Sequence, residues 1–198
     1  MSTGLRGVQH ARRALKTPLQ FPPELAARVL THLSHRDAAQ GHNARLAFMG
    51  RRVLDSYLLA FLHSLPPDLA ARYDYERTAA RVLNTYVLGE HVAPKWNLNT
   101  VVRWSSSRGD AAQVAASSGE MRSVGLYKVA GTTVEAIVGG VFHQFGGAVA
   151  HRLFHTRLLP HILLHGRPDG LPDALHEYAK AACEKMGGVH GPLLAARS

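Results

Sequence analysis

The chain of 198 residues has one cysteine, Cys183. A lone thiol excludes an internal disulfide and any metal site built from cysteine alone, and suits a reducing compartment such as the cytosol or mitochondrial matrix. Acids are scarce: 14 Asp and Glu stand against 23 Lys and Arg, none precedes Glu24, and none lies between Asp37 and Asp55. The resulting formal charge of +9 and a pI near 10.2 point to a polyanionic partner, nucleic acid before membrane, with solubility as the plain alternative. Long apolar runs are missing, so nothing approaches the roughly 18 consecutive residues of a spanning helix. Strand-like alternation of useful length and internal repeats are absent too. What remains is 46% apolar residues, enough for a core, in a length that suits one domain with short extensions.

The apolar residues recur with a helical period. Pro22-Pro23 opens a predicted helix over 23–34, and a polar connection over 34–42 leads to a long, largely buried helix over 43–65 that Pro66-Pro67 ends. Asp68 is placed to cap a further helix from Leu69, and 78–88 is helical again before Gly89. Pro94-Lys95-Trp96 interrupts, then 98–104 forms a short apolar element, 105–109 a loop and 110–116 a short helix. Helices are predicted over 128–142, over 148–164 after the Gly146-Gly147 break, and over 173–185. An all-α fold follows. Residues 1–21, with Arg6, Arg12, Arg13 and Lys16 and no acid, form a basic arm whose composition fits a mitochondrial targeting peptide and equally a solvated tail that touches RNA.

Residues that could carry chemistry lack its usual frames. His151 and His155 are one helical turn apart, as are His161 and His165, but neither pair sits in a His-Glu-x-x-His frame or near a cysteine, so no metal site is predicted and surface histidines adding to RNA affinity are expected. The serine runs 105–107 and 117–118 lack a nucleophile-elbow pattern and Cys183 has no partner. Gly139-Gly140 and Gly146-Gly147 follow no strand, which favours close helix packing over a phosphate loop.

Three stretches in order carry a resemblance. Asn43-Ala44-Arg45-Leu46-Ala47-Phe48-Met49-Gly50-Arg51-Arg52-Val53-Leu54 resembles the ribonuclease III signature Asn-Glu-Arg-Leu-Glu-Phe-Leu-Gly-Asp-x-Val-Leu, with Ala44, Ala47 and Arg51 at its three acidic positions. Val29-Leu30-Thr31-His32-Leu33-Ser34 is similar to the family's Ala-Leu-Thr-His-x-Ser element, in which packing or capping is the expected part of His32. The run from Lys128 to Gly140 is similar to the second signature, with Thr132 where an acid would stand and Glu135 retained. The resemblance covers roughly residues 22 to 165, leaving 166–198 as a C-terminal helix and tail too short for a double-stranded-RNA-binding domain.

The resemblance implies a ribonuclease III-like helical endonuclease domain that has lost its divalent metals, because one carboxylate cannot assemble the oxygen shell that magnesium needs. Glu135 is then expected to pair with Arg51 or Arg45. Phe48 falls at the signature phenylalanine that in the family inserts into a partner subunit, an ordinary core residue being the alternative. Such a domain resembles the pseudo-nucleases of the mitochondrial ribosome's large subunit, of the fungal kind built from this domain alone. The expected role is structural, without enzyme activity, cofactor, metal or membrane. The expected partners are ribosomal RNA, met by Arg6, Arg12, Arg13, Lys16, Arg152 and Arg157, other large-subunit proteins, and a second ribonuclease III-like protein as a hetero-pair. The competing reading is a divergent endoribonuclease or RNA-processing factor acting on double-stranded RNA.

Overall fold

Leu46, Val53, Leu54, Leu58, Phe61 and Leu62 fall on one side of a 20-residue helix, Ala44–His63, and bury there. This spacing is the signal of a helix with one face in a core. The computed structural model describes residues 19–105 and 125–194. It places helices α1 (Pro23–Leu30), α2 (Ala44–His63), α3 (Pro67–Ala70), α4 (Tyr75–Val82), α5 (Thr85–Val87), α6 (Leu126–Phe145), α7 (Gly147–Leu153) and α8 (His176–Lys185). Helix α6 is buried on almost every side, so it runs through the centre and the other helices pack around it. The short helix expected over 110–116 lies outside the described residues.

Where the sequence predicts longer helices, the structure ends or widens them. Helix α1 stops at Leu30 because Thr31 is extended and pairs with Arg103, an isolated bridge in which Arg103 donates to the Leu30 carbonyl at 2.8 Å. The apolar element expected at 98–104 is therefore a 3₁₀ turn, Leu98–Thr100, followed by this bridge. The predicted helix 148–164 is α7 continued by a π turn, Phe154–Leu158, and a 3₁₀ turn at Pro160. Proline removes an amide donor and cannot continue the α ladder. Gly146 separates α6 from α7 with φ +85°, a backbone conformation that favours glycine.

The C-terminal segment belongs to the same core, in which Leu171, Leu175, Ala179 and Leu193 are buried. Two arginines fasten it, and this corrects their expected place on the RNA-facing surface. Arg157 is 7% exposed and donates to the carbonyls of Gly188 at 3.1 Å and Gly191 at 2.6 Å. Arg152 is half-buried and donates to the Leu193 carbonyl at 3.1 Å. A guanidinium taken from water needs acceptors, and the turn after α8 supplies them as backbone oxygens.

The histidines of α7 and its π turn also face inward, contrary to the expected surface role. His155 is 4% exposed, its ring lies against Phe61 and Phe154, and its Nε2 is 3.1 Å from Nε2 of His151. Burial first, and His151 second, lower its pKa from 6.5 to about 4. The folded state thus binds this proton less readily than the unfolded chain, so the contribution is complete above pH 6.5 and is lost as pH falls towards 4. Urea unfolding at pH 7 and at pH 4.5 should differ by about 2 kcal/mol through this group, screening by water near the half-buried His151 included. The difference should shrink in His155→Leu.

Candidate functional site

Helices α2 and α6 meet backbone to backbone where Gly50 and Gly139 cross. A Cβ on Gly50 would overlap the Glu135 carbonyl, and one on Gly139 would overlap the Leu46 carbonyl. A second crossing of this kind joins the π turn Leu88–Val92 to α6, where Gly89 meets the Tyr127 carbonyl and Gly131 the Thr85 carbonyl. Gly139 therefore does serve close helix packing, as its sequence context suggested. Contact at backbone distance fixes the register of both pairs, and it brings Arg51 of α2 and Thr85 of α5 to Glu135 of α6.

Glu135 is fully buried, and its carboxylate is occupied on both oxygens. Arg51 donates from Nη2 to Oε2 at 3.0 Å and from Nε to Oε1 at 3.3 Å, a two-pronged ion pair. Thr85 donates its hydroxyl to Oε1 at 2.8 Å. The Glu135 carboxylate raises the pKa of Arg51, chiefly through the hydrogen bond. Of the two arginines the sequence offered, Arg51 is thus the partner, while Arg45 faces solvent. Thr85 was not anticipated. It lies 50 residues from Glu135 in sequence, and a threonine beside the helix-capping Asn84 reads as part of a cap.

Ala44 is half-buried and Ala47 buried on α2, and Thr132 is half-buried on α6. Asn43 is buried and ties the helices together, donating from Nδ2 to the Val29 carbonyl at 3.2 Å and to Thr133 Oγ1 at 3.4 Å. His32 keeps a local part, its Nδ1 accepting from the Ser34 amide at 3.1 Å.

A divalent cation does not fit this donor set. Arg51 holds a positive charge on both oxygens of Glu135, and the acids Asp55 and Glu76, which line a groove beside Arg51 and Arg52, do not join Glu135 in a group of three ligands within 4.8 Å of one another. Among the described residues, the one group of three potential ligands within 4.8 Å of each other is His165, Asp173 and His176, far along the chain. There His176 Nε2 lies 2.8 Å from the Leu171 carbonyl and Asp173 accepts from the Gly166 amide, bonds that close the loop before α8.

Phe48 faces outward from α2 and is 66% exposed, which removes the core alternative. With Met49, Val53, Tyr57 and Phe142 it lines an apolar groove of about 450 Å³, and the Arg52 guanidinium lies 5.5 Å from its ring centre. Such a cation–π contact holds an exposed ring in place. Arg6, Arg12, Arg13 and Lys16 lie outside the described residues.

The pairing of Arg51 with Glu135 has a measurable consequence. Arg51→Met strands a buried carboxylate and should cost about 2 kcal/mol at neutral pH, below the usual 3–5 because Arg51 is half exposed and Thr85 remains as a donor. The double variant Arg51→Met/Glu135→Gln should recover most of that loss in chemical denaturation, and additive losses would show that the two side chains are not coupled.

Comparison with known proteins agrees with this architecture. The family model described as Ribonuclease-III-like matches residues 22–162. Ribonuclease 3 of Cupriavidus pinatubonensis is 31% identical over 140 residues, covering 70% of this chain and 48% of the relative. Ribonuclease 3 of Zymomonas mobilis is 28% identical over 162 residues, covering 80% of this chain and 59% of the relative. The chain thus spans about half the length of these curated relatives. Among solved structures, the nuclease domain of ribonuclease III from Campylobacter jejuni superposes with a TM-score of 0.55 at 22% identity, covering 73% of this chain and 88% of that one. With the family signatures aligned on two helices that cross at glycine, this chain belongs to the ribonuclease III-like family.

Proposed function

We propose that this protein is a non-hydrolytic scaffold of the ribonuclease III-like family that binds ribosomal RNA and neighbouring proteins in the large subunit of the mitochondrial ribosome. The observation that carries the reading is the Arg51–Glu135 ion pair, which puts a guanidinium on the one acid left from the two signatures. Hydrolysis of a phosphodiester by metals requires their charge beside the scissile phosphate, and Arg51 repels a cation from that place. A +9 charge and a basic arm supply non-specific affinity for RNA.

The competing reading, a divergent endoribonuclease, is favoured by the name ribonuclease 3 that the curated relatives carry. Incubation of the full chain with duplex RNA and magnesium or manganese separates the two. No cleavage is expected, whereas metal-dependent cleavage abolished by Glu135→Ala would overturn the scaffold reading. The ribosomal part predicts that the chain sediments with the large mitochondrial subunit in fractionated cells, and a chain found only in free fractions would remove it.

The apolar groove around Phe48 supports a protein partner, a second ribonuclease III-like chain first of all. A second structure of the Campylobacter jejuni nuclease domain, TM-score 0.52, describes structural flexibility in the region involved in dimer formation. Truncating an aromatic anchor at the centre of an interface costs about 2–4 kcal/mol of association. Phe48→Ala should weaken partner binding by that amount and leave the melting temperature nearly unchanged, since the ring is outside the core.

A further inference from the structure

We propose that the groove between α4 and the 167–172 segment docks the phosphodiester backbone of RNA, at a place separate from the Arg51–Glu135 site. The proposal rests on the reading of the chain as an RNA-bound scaffold. The groove, about 470 Å³, is lined by Arg72, Tyr73, Arg77, Arg81 and Arg167. Helix α4 buries Thr78, Ala79 and Val82, which turns Arg77 and Arg81 outward, one helical turn or about 6 Å apart. That rise is close to the gap between successive phosphates on one strand. Arg72 precedes the helix, and Arg167 faces it from the opposite wall.

Three of the four arginines in this groove have no ion-pair partner among the described residues. Among the described residues no acid lies within ion-pair distance of Arg72, Arg77 or Arg81. The one acid in the lining, Asp74, caps α4 by accepting from the Arg77 amide at 2.9 Å. Arg167 is held in place by Asp169, at 2.9 and 3.1 Å. The groove at the Arg51 site, by contrast, has two arginines, Arg51 and Arg52, against three acids, Asp55 and Glu76 in its lining and Glu135 on Arg51, so it offers an anion no excess of positive charge. Three guanidiniums side by side repel one another unless an anion joins them. Their planar forks match phosphate oxygens two at a time. The large exposed apolar side chains Phe48 and Phe142 line a different groove, beside Arg45 and Met49, so this one has no such wedge to insert into lipid.

The test is fluorescence anisotropy of the full chain with a labelled 20-base-pair RNA duplex over a potassium chloride series. The triple variant Arg72→Ala/Arg77→Ala/Arg81→Ala is compared with a charge-matched control, Arg36→Ala/Lys95→Ala/Lys185→Ala, at exposed positions elsewhere. The groove variant should lose on the order of tenfold or more in affinity, and its slope of log affinity against log salt should fall by about 2, at roughly 0.7–0.9 per phosphate contact. The control should change affinity by less than about threefold, and both should keep the wild-type melting temperature. Equal losses in the two variants would overturn the groove while leaving the scaffold reading intact, whereas a wild-type chain that fails to bind RNA at low salt would overturn both. An equal loss of binding to poly-glutamate would show a general anion site and overturn the assignment to RNA.

Discussion

Helices α2 and α6 touch at backbone distance through Gly50 and Gly139, and the placement of nearly every other group follows from that contact. A long helix carrying bulky residues on its facing side would stand several ångströms further off. Arg51 could not then reach both oxygens of Glu135, nor could Asn43, one residue before α2, bond Thr133 of α6. The second glycine crossing, Gly131 against the carbonyl of Thr85, holds α5 close enough for the Thr85 hydroxyl to complete the carboxylate's hydrogen bonds. Loss of a side chain at four positions creates the space in which polar groups from three helices meet.

The site that results is electrostatically closed. A fully buried carboxylate is expensive unless its charge and lone pairs are matched. Arg51 provides the opposite charge, and Thr85 adds a neutral donor whose geometry does not depend on a long flexible chain. The half-exposed Arg51 keeps part of its guanidinium in water, which lowers the desolvation that a fully buried pair would suffer. Residues that in the resembled signature are acids are here methyl groups at Ala44 and Ala47, of which Ala47 is packed into the core and Ala44 is half-buried.

The helices α2 and α6 were legible because long apolar stripes at a period of 3.6 leave little choice of secondary structure. The family signatures pointed to Glu135 and to Arg51 as one of its two candidate partners, but helix phase alone did not choose between Arg51 and Arg45. Interhelical distance made that choice. Thr85 could not be read because it lies in a separate short helix whose position is set by Gly89 and Gly131. Arg157 and His155 were misplaced for another reason: their polarity was taken as exposure, whereas every residue of the π turn Phe154–Leu158 is buried, and Arg157, seven residues after the buried Ala150, falls on the inward face of an α period.

Arg157 also changes where this domain can be said to stop. The family match ends at Ile162, yet the guanidinium of Arg157 finds its acceptors at Gly188 and Gly191, and the indole of Trp96 bonds the Arg157 carbonyl. A chain cut at the end of the match would keep a cation facing inward with those acceptors gone, and would uncover the core against which Leu171, Leu175 and Leu193 lie. Residues 163–194 therefore act as a keystone and not as an appendage, and the packed core extends past the stretch by which the family is recognised.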